Sequence, residues 1–214
     1  MGVIINPRGT SGSGKTELVR RVLAQYGWRR GTRLEGVGGL EPIWREGRSR
    51  PLGYRLRHPL GGRPLAVVGH YEATSGGCDT IRAADGGLDE IMGWAADHAA
   101  TGHDVLIEGL RLSSEYERSA ELARSHRLHV LRLTTPLDQC ARNLVWRRRA
   151  RREAWRSVAG TVAVEHDTMA EACARLSRYA TVEALEFDDA LARAQDLLGI
   201  RQRGDLGPGD VQGA

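Results

Sequence analysis

The chain has 214 residues and a net charge of +4, and 41% of its residues are hydrophobic while 27% are charged. This length suits one α/β domain with a sizeable core, and the composition argues against a disordered chain. No apolar run approaches the ~20 residues of a membrane span, and the first residues lack a secretory pattern. Three widely spaced cysteines predict neither a disulfide framework nor a zinc site, so the cytoplasm is the expected location.

Arginine supplies almost all of the positive charge, and Lys15 is the only lysine in the chain. Together with abundant Gly and Ala and a single Phe, this usage is typical of a GC-rich genome. The arginine excess is therefore explained equally well by composition bias and by an electrostatic role. The same bias makes the position of the one lysine informative.

The chain opens with a strand, a glycine-rich loop and a helix. Val3–Asn6 reads as the strand, Gly9–Gly14 as the loop and Lys15–Tyr26 as a helix with one apolar face. Residues 29–50 have no sustained period and are predicted to be irregular. A hairpin follows, since residues 52–57 alternate in polarity before a Pro-Leu-Gly-Gly turn and a buried strand at 65–69.

Helices and strands alternate through the rest of the chain. A second glycine-rich loop covers 71–87, and the tail from residue 200 is predicted to be disordered. Predicted helices are 88–100, 115–125, 165–179 and 188–198, and another helix opens at Pro136 and carries the arginines from 142 to 152. Predicted strands are 104–107, 129–133 and 182–187.

This order predicts an α/β fold with helices on both faces of a mostly parallel, doubly wound sheet. We expect a three-layer P-loop NTPase fold of about five strands, with an added hairpin strand and an arginine-rich lid at about 142–160. Residues 1–199 would form this single domain. In such sheets ligands bind at the carboxyl ends of the strands.

The strongest motif lies between the first strand and the first helix. It matches the pattern G-x-x-x-x-G-K-[ST] completely and consists of Gly9, Thr10, Ser11, Gly12, Ser13, Gly14, Lys15 and Thr16. Glycines allow successive backbone N–H groups to turn towards phosphates, and the helix N-terminus adds partial positive charge. Lys15 is predicted to reach the β- and γ-phosphates and Thr16 to coordinate Mg²⁺, so the loop predicts binding of Mg-ATP.

Two acidic residues follow predicted strands. Glu108 ends the strand 104–107, where it would face Lys15 and hold Mg²⁺ through water; a solvated acid at a strand end is the alternative. In the second glycine-rich loop, Asp79 is the candidate for orienting or deprotonating an acceptor hydroxyl, and Tyr71 for stacking on a base. A flexible surface loop explains the composition of this stretch equally well.

The arginines from 142 to 152 have helical spacing. Arg142 and Arg149 are predicted to share a face, with Arg148 and Arg152 on a neighbouring ridge. Such a helix can close over a triphosphate and neutralise the charge that develops during transfer, the role predicted for Arg142 and Arg148. It can also bind a nucleic-acid backbone or be only a solvated face.

The order of loop, acidic strand end and arginine-rich helix resembles the P-loop kinases of the nucleoside monophosphate kinase type over most of residues 1–199. The sequence is also similar to bacteriophage kinases that phosphorylate 5-hydroxymethyluracil bases in DNA. That similarity lies in the runs at 8–16, 76–80 (Gly-Gly-Cys-Asp-Thr) and 107–110 (Ile-Glu-Gly-Leu). It implies DNA as a partner and a base flipped out of the duplex for reaction.

The sequence therefore predicts an ATP-dependent kinase that transfers the γ-phosphoryl group to a hydroxyl, with hydroxymethyluracil in DNA as the favoured acceptor. A kinase of free nucleotides or other small molecules is the first alternative. An ATPase or nucleotide switch acting on a partner is the alternative from another class. A GTPase is disfavoured because the guanine-reading motif N-K-x-D needs a second lysine.

Overall fold

The computed structural model describes residues 1–31, 39–73, 76–108, 116–149 and 154–201. Some predictions concern residues outside these ranges. These are the places of Arg151 and Arg152 on the lid helix and disorder of the tail over 202–214. Ile200, predicted as the first residue of that tail, is instead buried in the core.

Within these ranges, seven strands form one sheet in the order β2-β3-β4-β5-β1-β6-β7. Five of them, from β4 to β7 in this spatial order, run parallel, and β3 and β2 are added antiparallel at one edge. The strands are β1 (Val3–Arg8), β2 (Leu40–Ile43), β3 (Gly53–Leu56), β4 (Leu65–Val68), β5 (Asp104–Ile107), β6 (Arg127–Leu133) and β7 (Thr181–Leu185). The predicted parallel sheet with an added hairpin strand is confirmed.

The described residues form six α-helices, of which the first five lie between strands in the chain and the sixth follows the last strand. They are α1 (Lys15–Gln25), α2 (Gly87–Ala100), α3 (Tyr116–Ser125), α4 (Leu137–Arg148), α5 (Trp155–Leu176) and α6 (Phe187–Leu198). Two short 3-10 turns, Cys78–Thr80 and Ala83–Asp85, lie in the second glycine-rich loop. Among the described residues, no helix is both long and apolar enough to cross a membrane.

Three sequence predictions need correction. Residues 29–50 are not wholly irregular, because β2 lies within them and extends the sheet by pairing with β3. Helix α5 begins at Trp155, ten residues before the predicted start. Helix α4 ends at Arg148, and Arg149 has a left-handed conformation (φ 50°), so Arg149 does not continue the helical face of Arg142.

Hydrophobic residues cover both faces of the sheet. One cluster packs α1 and α6 against β1, with Ile5, Leu18 and Ala194 among its fully buried members. The other packs α2, α3 and α5 against the opposite face. A small third cluster joins α4 to α5 through Leu144 and Val162. The lid helices therefore have an apolar contact of their own next to the main core.

A buried acid joins the start of β1 to the start of β5. The Asp104 carboxylate, only 2% exposed, accepts hydrogen bonds from the Val3 backbone N–H (2.9 Å) and from Arg63 Nε (3.0 Å). Removing one partner of a buried hydrogen bond leaves the other without a partner, which costs more than the bond itself contributes.

We expect Asp104→Ala to lower the free energy of unfolding by about 1–3 kcal/mol, because the Val3 N–H loses its acceptor. Urea unfolding followed by circular dichroism measures this change. Asp97→Ala, an exposed position on α2, is the matched control and should change the free energy by less than about 0.5 kcal/mol. Equal effects of the two substitutions would contradict the role of Asp104.

Candidate active site

The glycine-rich loop follows β1, the strand between β5 and β6 in the parallel sheet. Its turn is closed by a hydrogen bond from Ser13 N to the Thr10 carbonyl (3.0 Å), and Gly14 (φ 100°) precedes α1. Gly12 (φ 86°) lies so close to α4 that a Cβ would stand 2.3 Å from the Cys140 carbonyl oxygen. The loop thus depends on glycine both for its conformation and for contact with α4.

Lys15 is folded back over the loop. Its Nζ donates hydrogen bonds to the carbonyl oxygens of Gly9 (2.7 Å) and Thr10 (3.1 Å). Burial lowers the pKa of the Lys15 ammonium, while the carboxylates of Glu108, Glu165 and Asp79 act in the opposite direction. A cation held by weak neutral acceptors and surrounded by acids is well placed to turn towards an incoming anion.

The carboxyl end of β5 brings Glu108 to the start of α1. The Thr16 hydroxyl donates a hydrogen bond to Glu108 Oε1 (2.6 Å). Glu108 Oε2 is buried and has no hydrogen-bond partner among the described residues. Burial raises the pKa of Glu108 to about 7, against the opposing effects of the Thr16 hydrogen bond and the Lys15 charge.

The neighbouring loop closes tightly over this acid. A Cβ on Gly77 (φ 79°) would lie 2.2 Å from Glu108 Oε2, so only glycine fits there. Gly77 also pairs with His70, and its N–H donates to the His70 carbonyl (2.9 Å). This pairing holds residue 70, just after β4, next to residue 77, just before the first 3-10 turn.

A cavity of about 1400 Å³ joins these parts. Its charged lining combines cations and acids that the sequence places far apart. The cations are Lys15, Arg20, Arg30, Arg142, Arg147 and Arg149, and the acids are Glu17, Asp79, Glu108 and Glu165. A cavity of this size and mixed charge can take a nucleotide together with an acceptor group.

Asp79 lies in the first 3-10 turn of the second glycine-rich loop and is exposed. It lines the main cavity and also a smaller one of about 510 Å³ that lies against the start of α2. The loop that carries it is anchored to α1, since Arg20 donates hydrogen bonds to the carbonyl oxygens of Tyr71 (3.1 Å) and Ala73 (2.5 Å). The structure thus brings Asp79 into the same cavity as Lys15 and Glu108.

The interpretation of Tyr71 as a base-stacking residue is wrong. Tyr71 is fully buried, and its hydroxyl donates to the Val68 carbonyl (3.3 Å). Burial raises the pKa of this phenol well above its usual value. Tyr71 therefore belongs to the core beneath the loop, where its ring has no free face.

The arginines of α4 separate into two groups. Arg142 lines the cavity and is held by Asp138 (2.5 Å) and by Gln139 Oε1 (3.1 Å). Arg147 and Arg149 also line it. Arg148 is exposed and is not among the described residues of this lining, so its predicted role at the phosphates lacks support.

Sequence reasoning missed two contacts of the lid helices with the loop. Asn143 on α4 donates a hydrogen bond to the Gly12 carbonyl (2.8 Å). Glu165 on α5 accepts one from the Ser11 backbone N–H (3.0 Å), which places a carboxylate on an amide of the phosphate loop. The i, i+4 spacing of Gln139 and Asn143 signals only a helix, and nothing in the sequence singles out Glu165.

The parallel sheet has a glycine-rich loop between its central strand and a helix. The motif of this loop contains a lysine, and the adjacent strand ends at an acid. Together these features define a P-loop nucleotide-binding protein. No protein-family model matches the chain. The chain is 40% identical over 149 residues to the 5-hmdU DNA kinase of Pseudomonas phage PaMx11, a match that covers 69% of this chain and 70% of that protein.

The chain therefore belongs to the family of that phage kinase, and it is a phosphotransferase with a hydroxyl acceptor. The resemblance to bacteriophage 5-hydroxymethyluracil DNA kinases is confirmed.

The raised pKa of Glu108 predicts a pH-dependent stability of the ligand-free protein. A folded pKa of about 7, against an ordinary value of 4.5, means that the folded state binds the proton more tightly. This contribution is fully present below pH 4.5 and is lost as the pH rises through about 7. It amounts to at most about 3 kcal/mol.

Glu108→Gln, which stays neutral, should remove this loss and make the protein more stable than the parent above pH 7. Unfolding by urea from pH 5 to pH 8 measures the effect, with the exposed Glu117→Gln as the matched control. An unchanged pH dependence in Glu108→Gln would show that this carboxyl group is not the cause.

Proposed function

We propose that the protein transfers the γ-phosphoryl group of ATP to the hydroxyl of a 5-hydroxymethyluracil base in DNA. The observation that carries the proposal is the single cavity lined by Lys15, Glu108 and Asp79, which offers a place for donor, metal and acceptor together. The acceptor is inferred from the relative, whose name gives 5-hmdU in DNA as its substrate.

In this proposal the loop amides and Lys15 hold the triphosphate. Backbone N–H groups from Gly9 to Thr16 and the N-terminus of α1 favour negative charge in the loop. The Lys15 ammonium leaves the Gly9 and Thr10 carbonyl oxygens and turns to the β- and γ-phosphates. This exchange replaces two neutral acceptors with charged ones, which strengthens the hydrogen bonds.

Thr16 and Glu108 fit a magnesium ion. Mg²⁺ takes oxygen ligands and is usually held by one or two protein groups together with phosphates and water. The unpartnered Oε2 of Glu108 is an oxygen without a hydrogen bond beside the Thr16 hydroxyl. Within the described residues, no group of three or more His, Cys, Asp or Glu side chains could hold a metal. When bound, the ion would neutralise charge on the phosphates.

Asp79 is the proposed base for the acceptor. The hydroxyl oxygen of the substrate forms the new bond to the γ-phosphorus, the bond from that phosphorus to the β–γ bridging oxygen breaks, and the hydroxyl proton passes to the Asp79 carboxylate. Arg142, which lines the same cavity, is proposed to neutralise the charge that spreads over the transferring group.

An acceptor screen with ATP labelled at the γ-phosphate tests the proposal. We expect label in duplex DNA that contains 5-hydroxymethyluracil, and none in normal DNA. Lys15→Ala should weaken ATP binding by about 10- to 100-fold, because a hydrogen-bonded cation at the phosphates is lost. Label in free nucleotides alone would favour a nucleotide kinase instead.

Asp79→Asn separates a kinase from an ATPase. The amide cannot take up the hydroxyl proton, so we expect transfer to the acceptor to fall by about 100-fold or more while ATP binding stays unchanged. Phosphate release that needs no acceptor and proceeds equally in Asp79→Asn would support an ATPase or switch and contradict the kinase proposal.

The Glu165 contact leads to a further prediction for ATP affinity. The Glu165 carboxylate accepts the hydrogen bond of the Ser11 N–H and would repel a triphosphate bound in the loop. Glu165→Gln should therefore tighten ATP binding on the order of 5-fold, as expected when one of two partly exposed like charges is removed. Calorimetric titration measures this, with Glu171→Gln at an exposed position of α5 as the matched control. Weaker binding in Glu165→Gln would mean that Glu165 helps to hold the nucleotide.

A further inference from the structure

The end of α4 presents an exposed aromatic side chain at the edge of the cavity. Trp146 is 83% exposed, the largest exposed fraction among the large hydrophobic side chains that the structure describes. It nevertheless lines the reaction cavity together with Val145 and Arg147. The opposite face of α4, with Cys140 and Leu144, is buried against α5. Trp146 therefore contributes nothing to the core and keeps a free ring face.

Among the described residues, four exposed arginines without a side-chain partner lie within ten residues of this tryptophan in the sequence, and two of them, Arg147 and Arg149, line the same cavity. Arg147, Arg148, Arg149 and Arg156 are all exposed, and the described residues provide no hydrogen-bond or ion-pair partner for their guanidinium groups. We call these four arginines and Trp146 the tryptophan–arginine rim. From residue 142 to residue 156 the sequence has seven arginines and one glutamate. The rim therefore carries a concentrated positive charge.

Clustering, more than lack of pairing, sets these arginines apart from the others on the surface. Arg45, Arg118 and Arg193 have carboxylate partners in Glu90, Asp89 and Glu183. The exposed Arg50, Arg57, Arg127 and Arg178 have no carboxylate partner among the described residues, but they are scattered along the chain. A genome that favours arginine codons supplies arginines without regard to their neighbours. The clustering of unpaired guanidinium groups beside a free indole matches what a nucleic-acid strand requires, namely cations for phosphates and a ring for bases.

Arg149 adds a conformational observation. It is the one non-glycine residue with positive φ (50°) among those that the structure describes. A long side chain in this left-handed conformation costs free energy that glycine would not, and such outliers cluster at functional sites. The strained turn ends α4 and keeps Arg149 in the cavity lining.

We propose that the tryptophan–arginine rim is the docking surface for the DNA strand that flanks the reacting base. Trp146 stacks on a base of that strand, and Arg147 and Arg149 pair with its phosphates. The rim leads directly into the cavity that contains Asp79, so a strand held there presents a flipped base to the reaction site. The inference depends on the proposed DNA acceptor, because a free nucleotide has no flanking strand.

Binding of a fluorescent 5-hydroxymethyluracil oligonucleotide, followed by anisotropy, tests the rim. Trp146→Ala should weaken DNA binding by about 5- to 100-fold, the usual loss for one stacked base. Trp44→Ala is the matched control, since Trp44 is also exposed (58%) but does not line the cavity. The KM for ATP should stay within about twofold in both variants.

Arg149→Gly separates a binding role from a structural one. Glycine suits the left-handed turn, so this variant should keep or raise the melting temperature. It should nevertheless bind DNA more weakly and lower the slope of log affinity against log salt by about one phosphate contact. Arg178→Ala, a substitution of an exposed arginine in the turn after α5, should alter neither property.

The outcomes separate this inference from the proposed function. If the parent protein phosphorylates hydroxymethyluracil DNA and the rim variants bind DNA as it does, the rim inference alone fails. If Trp146→Ala raises the KM for ATP and leaves DNA binding intact, the rim serves the nucleotide and the inference is again wrong. If the parent labels only free nucleotides, the proposed DNA acceptor fails first.

Discussion

The hydrogen bond from the Thr16 hydroxyl to the Glu108 carboxylate joins the start of α1 to the end of β5, and the parallel pairing of β1 with β5 makes this contact possible. Ile4 and Ile5 of β1 pair with Val105 and Leu106 of β5, so both strands end at one edge of the sheet. The phosphate loop follows the end of β1, and Glu108 follows the end of β5. Local sequence alone could not bring Lys15 and Glu108 together, since they are far apart in the chain and meet only through this register.

The second constraint is the contact of α4 with the phosphate loop. Gly12 lies against the Cys140 carbonyl, Asn143 donates to the Gly12 carbonyl, and the Thr135 hydroxyl donates to the Ser13 carbonyl (2.8 Å). The first part of α4 is thus fixed to the loop, whereas its last turn, with Trp146, is exposed. A lid that is anchored at one end can adjust its other end to a substrate while the phosphate site keeps its shape.

The parts of the structure that could be predicted from sequence are those with a local cause. The phosphate loop is specified by its glycines, and the core strands by runs of buried β-branched and aliphatic residues. β2 was missed because it is four residues long and contains a proline, and its stability comes from pairing with β3. The first ten residues of α5 include Gly160 and several β-branched residues, which lower helix propensity, and packing of Val158 and Val162 against α4 compensates for this.

The wrong or missing predictions for individual side chains have a different cause. Composition distinguishes an exposed tyrosine from a buried one poorly, so the burial of Tyr71 depends on the path of the loop over the core. The left-handed turn at Arg149 has no sequence signal, because such turns are normally marked by glycine. Glu165 reaches Ser11 only because α5 packs along α4. In each case the position of the side chain is set by contacts between distant segments.

Glu108 is the group in the site whose ionised form a bound cation would stabilise most directly. Its buried carboxyl group has one oxygen bonded to Thr16 and one without a partner among the described residues, and burial favours its protonated form. Such an acid reaches a low free energy either by holding a proton or by facing a positive charge. A triphosphate in the loop would add further negative charge beside Glu108, Asp79 and Glu165, and Lys15 alone cannot balance all of these groups. A divalent ion held by Glu108 would relieve both problems at once, and ionisation of the acid would then be coupled to binding of the nucleotide with its metal ion.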